Sequence, residues 1–169
     1  LMPTIGWTQL VPATWGVPTS LATGVNGDIY GSGYLWSGGF MDAYVAQYHA
    51  DGSRGWFNIL AGSGVADDRA TGITTGIDGS IYLAGYSNAT QLSGAINNSL
   101  GNDFDAFIAK YQSDGTRVWT KFLGTSGEDK AYSIATDRDG FVYVVGSTNG
   151  ALDSQVFNGG VSDGFITKY

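Results

Sequence analysis

Apolar and polar positions alternate along this chain in short bursts, not at the three-to-four spacing of an amphipathic helix, so strands are predicted nearly throughout. In 106–111 one face carries Ala106, Ile108 and Lys110 and the other Phe107, Ala109 and Tyr111. Both faces are largely apolar, which predicts a strand covered on both sides. Turn signals punctuate the bursts at Asn26-Gly27, Asp51-Gly52, Asp78-Gly79, Asp114-Gly115 and Asp139-Gly140. Such pairs supply the positive φ angles of a two-residue type I′ turn, and each is expected to be a hairpin tip.

The bursts repeat. Asp42-Ala-Tyr-Val-Ala-Gln-Tyr48 returns as Asp105-Ala-Phe-Ile-Ala-Lys-Tyr111 and as Asp163-Gly-Phe-Ile-Thr-Lys-Tyr169, at steps of 63 and 58 residues. Trp7, Trp56 and Trp119 recur in register with this phrase, dividing the chain into units of about 6–48, 55–111 and 118–169. Each unit reads as four strands in order: a Trp strand, an inner strand such as 71–75 or 132–136, a Tyr strand, and the seven-residue strand. Four-stranded antiparallel sheets of this length, repeated and sandwiched between like neighbours, predict an all-β fold of β-propeller blades. A parallel β-helix is the competing repeat fold, but its shorter coils have no place for two glycine hairpins each.

Composition narrows the function classes. Among 169 residues there are 27 glycines and 23 aromatic residues (five Trp, ten Tyr, eight Phe), as many short strands joined by tight turns require. Fifteen acidic against eight basic residues give a formal charge of −7, with no Lys/Arg cluster to meet a phosphate backbone, so nucleic acid is not an expected partner. No cysteine occurs, which removes disulfides and thiolate metal sites. No apolar run reaches the roughly 20 residues of a membrane span. The single histidine, His49, stands beside Asp51 in a predicted turn, and without a Ser-His-Asp or Cys-His set no triad chemistry is expected.

The strings Asp-Ala-Phe-Ile-Ala-Lys-Tyr (105–111), Asp-Gly-Thr-Arg-Val-Trp (114–119), Gly-Glu-Asp-Lys-Ala-Tyr-Ser-Ile-Ala-Thr-Asp (127–137) and Asp-Gly-Phe-Val-Tyr-Val-Val-Gly (139–146) together resemble the bacterial SBBP-type β-propeller repeat family. The resemblance covers nearly all of 42–169 and, with more departures, 6–41. It implies a secreted or surface-attached bacterial protein whose propeller forms part of something larger, and it implies no catalytic residues.

The repeats begin on a Trp strand and finish on a seven-residue strand, and rings need about four to eight blades. The expectation is therefore a homodimer closing a six-bladed ring, each copy donating residues 5–10 to its neighbour, or a segment of a longer propeller. Antiparallel order places uniform hairpins on one ring face and variable connections on the other, where binding usually resides. Onto that variable face come Asp67-Asp68 and Glu128-Asp129, together with Asp42, Asp105 and Asp163 at the strand mouths. Their oxygens are of the kind that Ca²⁺ takes, while Asp at a strand entry also accepts hydrogen bonds from its own turn. The first unit departs from the pattern: it has no acidic pair, and Trp15 and Trp36 fall on the same face. Exposed indoles beside carboxylates suit sugar rings, and equally cover a blade edge or anchor a protein contact.

The candidate ligand-binding residues are Trp15, Trp36, Asp68 and Glu128, with no catalytic residue and no metal ligand assigned. The reading is a non-catalytic scaffold or adhesion module, extracellular or at the cell surface, that binds a protein or extracellular polysaccharide. Its rival is a polysaccharide hydrolase or lyase using carboxylates at the ring mouth.

Overall fold

The computed structural model describes residues 6–11, 16–99 and 103–169. Its strands are β1 (Gly16–Thr23), β2 (Ile29–Ser37), β3 (Phe40–Tyr48), β4 (Arg54–Leu60), β5 (Asp68–Thr75), β6 (Ile81–Ser87), β7 (Gln91–Leu92), β8 (Ala95–Ile96), β9 (Asp105–Tyr111), β10 (Arg117–Leu123), β11 (Asp129–Thr136), β12 (Val142–Thr148) and β13 (Asp163–Lys168). Three antiparallel sheets follow one another: β1-β2-β3-β4, then β5-β6-β9-β10, then β11-β12-β13, with β7 and β8 forming a small hairpin inserted in the second. Among the described residues no helix is long and apolar enough to cross a membrane.

Each Trp strand pairs with the seven-residue strand preceding it, β4 on β3 and β10 on β9, so the sheets are offset from the sequence units by one strand. Residues 6–11 carry the Trp-strand pattern but lie in no strand, and the third sheet ends on β13 with no fourth strand beside it. Trp7 nonetheless takes the seat that a Trp strand gives it. Its indole donates to Ala50 O at 3.2 Å and stacks on Tyr48 at 6.3 Å, as Trp56 donates to Ser113 O at 2.9 Å and stacks on Tyr111 at 6.4 Å.

The hairpin tips stand where the sequence puts them, but their turns differ from the expected type. Gly27, Gly52, Gly79, Gly115 and Gly140 have φ between 79° and 87°, while the Asn or Asp before each keeps a negative φ. At every tip the glycine N–H donates to the carbonyl three residues back, and a second bond closes a five-residue loop, as Gly115 N to Gln112 O and Gln112 N to Thr116 O. This is a type I turn followed by a left-handed glycine. The Asx side chain caps it from within: Asp51, Asp78 and Asp114 accept from the backbone N–H two residues on.

Every inner strand is bulged at one place, between Pro18 and Ser20, Ala70 and Gly72, and Ala131 and Ser133. Opposite each bulge a glycine is obligatory, since a Cβ on Gly33, Gly85 or Gly146 would lie 2.0–2.1 Å from the carbonyl oxygen of Val17, Arg69 or Lys130. The extra residue points its side chain at the next sheet: Thr19 Oγ1 donates to Ala70 O and Thr71 Oγ1 to Ala131 O, each at 2.8 Å. Lower down, Thr75 Oγ1 donates to Thr23 O and Thr136 Oγ1 to Thr75 O, again at 2.8 Å. Each junction is therefore bonded in both senses, the earlier sheet donating at the bulge and the later sheet donating lower down.

Burial follows the alternation. Phe107, Ala109 and Tyr111 enter the core between the first and second sheets with Val45, Leu60 and Leu83. Ala106 and Ile108 enter the core between the second and third with Ile134 and Val144. A third cluster, Leu35, Tyr44, Ala46 and Tyr48, lies on the outer side of the first sheet. Val11 packs against that cluster, while Leu21 beside it and Ile166 on the outer side of the third sheet stay more than 70% exposed.

Candidate functional site

The two ends of the sheets differ. One end carries the five alike hairpins. At the other, β2 and β3 are joined tightly through Gly38 and Gly39, whereas β6 reaches β9 through the β7–β8 insertion, and β12 reaches β13 through a 3-10 turn at Leu152–Ser154. Leu92 and Leu152 anchor the two long connections by burial. Asp153 and Ser154 take left-handed φ of 47° and 64°.

The acidic residues of this end divide by strand parity. In Asp67-Asp68-Arg69 and Glu128-Asp129-Lys130 the middle carboxylate points inward and the outer two residues share the opposite face. Asp68 is fully buried, accepting from Gly62 N–H and the Ser87 hydroxyl. Burial pushes its carboxyl up to about 6 against those two bonds, and the charges of Asp42 and Asp67 push the same way. The expectation that Asp68 meets a ligand is thereby corrected: its oxygens are spent tying the loop before β5 to β6, out of reach of solvent. Asp129 is also buried and holds the loop before β11, its Oδ2 accepting from Thr125 N–H at 2.6 Å and Thr125 Oγ1 at 2.9 Å.

Asp105 is also buried and is bonded by Asn97 Nδ2 at 2.6 Å and by the Ser99 hydroxyl, both from the long insertion. Burial raises its pKa, those two bonds oppose the rise, and Asp129 and Asp103 add to it. Asp163 accepts from Asn158 N–H at 2.7 Å. Among the described residues no three His, Cys, Asp or Glu side chains converge as a metal would require. Asp137 caps its own turn, as its place on a hairpin tip predicts.

Glu128 remains at the surface, paired with Lys130 at 2.9 Å. Lys130 in turn lies 5.3 Å above the Tyr86 ring and 5.0 Å above that of Phe104. At the preceding junction Asp67 pairs with Arg69 at 3.4 Å, and Arg69 lies 5.2 Å over Tyr34. This acid–base–aromatic grouping, repeated at both junctions, was missed in the sequence, although its signal was there: an acidic and a basic residue two apart at the head of an inner strand.

Trp36 is half exposed at the end of β2 and, with Val17, Tyr34 and Met41, lines a cavity of about 330 Å³. Trp15 lies outside the described residues. The structure thus gathers neither Trp36 with Asp68 nor either of them with Glu128, which belongs to the next junction. His49 is less idle than its turn position suggests: Nδ1 lies 3.0 Å from Asp28 Oδ1, joining two hairpins of the first sheet.

Consecutive antiparallel blades, face-packed and linked by inner-strand hydrogen bonds, define a β-propeller repeat protein. Residues 118–152 match the SBBP family model, described as a β-propeller repeat. The chain is 26% identical over 148 residues, 78% of its length, to an uncharacterized WD repeat-containing protein of Acanthamoeba polyphaga mimivirus. It is 28% identical over 110 residues, 63% of its length, to the regulatory protein FlaEY of Caulobacter vibrioides. These stretches cover 10% and 11% of the two relatives, so the chain spans about a tenth of the length of each.

Proposed function

We propose that this chain is a non-catalytic propeller scaffold of a secreted or cell-surface protein, presenting its variable loop end to a protein partner. One observation carries the reading: five hairpins of one design at one end of the blades, against three connections of unlike length and conformation at the other. A repeated frame with one diversified end is how propellers hold binding loops. The carboxylates at that end support a non-catalytic role, because Asp68, Asp105 and Asp129 are buried struts and Glu128 is paired with Lys130.

The open apolar faces, with Leu21, Val145 and Ile166 exposed, suit further blades of the same kind, supplied by a second copy or by flanking repeats. Residues 6–11 fit a fourth strand on β13, since Trp7, Leu10 and Val11 match Trp119, Phe122 and Leu123 of β10.

Polysaccharide is the second reading for the partner, favoured by the half-exposed indole of Trp36. A glycan array, run with and without calcium on the wild type and Trp36→Ala, tests it; binding lost in the variant establishes a sugar site. Polysaccharide turnover abolished by Glu128→Gln would overturn the scaffold reading in favour of a hydrolase or lyase. Fractionation of cells making the full-length protein tests the location, and its recovery only in the cytosol would sink that part.

A further inference from the structure

The two junctions are built from matching slots, and the first is open where the second is filled. Tyr34 stands opposite Val17 as Tyr86 stands opposite Arg69, and Met41 precedes Asp42 as Phe104 precedes Asp105. At the second junction Phe104 meets Tyr86 edge-on at 5.2 Å and Lys130 covers both rings, so side chains occupy the space. At the first, the slot of Phe104 holds the thinner Met41, and the slot of Asn88 holds Trp36, which walls the cavity instead of filling it.

We propose that this cavity is a docking pocket for one apolar side chain, of leucine or phenylalanine size, on a protein partner that carries basic residues beside it. The proposal rests on the loop-end reading above and names its partner chemistry. Three features carry it. Val17, Tyr34, Trp36 and Met41 give walls almost wholly of carbon, and the thioether adapts to the shape of an inserted group. A pyranose would bring several hydroxyls against these walls, and Asp67 is already engaged by Met41 N–H at 3.0 Å and by Arg69. A hydrocarbon anchor leaves no such group unpaired. The formal charge of −7 favours basic flanks in the partner.

The test is a titration of isotope-labelled protein with acetyl-Lys-Lys-Phe-Lys-Lys-amide, its leucine- and serine-centred analogues, and xylo- and cello-oligosaccharides, following the Trp36 indole N–H and the Met41 methyl. The phenylalanine and leucine peptides should shift both signals at millimolar concentration and the serine peptide should not. The double variant Trp36→Asn/Met41→Phe installs the residues of the filled junction and so keeps the fold, verified by its amide spectrum. It should weaken the response at least about tenfold. No shift at about 5 mM peptide, or an undiminished shift in the double variant, overturns the pocket. Shifts at Trp36 from an oligosaccharide alone overturn it in favour of a sugar subsite. Peptide shifts confined to residues 88–99 sink the pocket and leave the loop-end reading standing; shifts confined to the five hairpins sink both.

Discussion

The second and third sheets share a strand pattern but live in different surroundings. β9 at the centre of the second is buried along nearly its whole length, whereas its counterpart β13 alternates half-buried and exposed residues. The same seven-residue phrase therefore does two jobs: with a neighbour on each side both faces are core, and with one neighbour a face is left over. Burial here is a property of the stack and not of the strand.

The largest effect expected from this contrast is at the shared aromatic. Phe107→Ala should cost about 3–5 kcal/mol, and Phe165→Ala in the equivalent position of β13 no more than about half of that, measured by urea denaturation. Equal losses would mean that the third sheet is as enclosed as the second.

Next comes the tryptophan pair. Trp56 lies between Tyr30 at 5.8 Å and Tyr111 at 6.4 Å with its N–H bonded, while Trp119 has Tyr82 at 6.3 Å. Trp56→Ala should lose about 3–4 kcal/mol and Trp119→Ala about 2 kcal/mol. A reversed order in thermal melts would break the comparison.

A finer separation is available at the hairpins. Gly115 and Gly140 share a φ of +87°, but a Cβ on Gly115 would lie 2.7 Å from the Trp56 ring and one on Gly140 meets nothing. Gly140→Ala should carry only the left-handed penalty, about 1 kcal/mol, and Gly115→Ala about 1–2 kcal/mol more. Indole fluorescence should report displacement of Trp56 in the second variant alone.

The smallest effect concerns protons. Asp68 is raised from the ordinary 3.8 to about 6 by burial, so its charged form is disfavoured in the folded protein. Its contribution is greatest below the unfolded value of 3.8 and is lost as pH rises through about 6. Wild type should therefore gain stability relative to Asp68→Asn between pH 7 and pH 5. A pH-independent difference between the two melting curves would show that Asp68 titrates normally. Asparagine can still accept from Gly62 and meet Ser87, so the comparison isolates the charge.

The blades were legible in the sequence because Asx-Gly pairs and a recurring Trp are local signals. The turn geometry was not, since Asn-Gly and Asp-Gly serve both the type I′ turn and the type I turn with a left-handed glycine; the number of loop residues decides, and strand ends are hard to place. The fate of Asp68 and Asp105 was hidden for another reason. Their partners Ser87, Asn97 and Ser99 arrive through β6 and the insertion after it, and nothing at the carboxylates themselves announces them. Strand parity alone would have turned Asp68 and Asp129 inward.

The threonine bonds between inner strands give every junction the same pattern. Thr75 reaches back to Thr23 and Thr136 back to Thr75, while Thr19 and Thr71 reach forward at the bulges, so each junction carries one bond of either sense at a fixed level. Any duplicated unit spliced between two others inherits a matching plug and socket without a new residue being invented. Gene tandems of this module can lengthen or shorten by whole units.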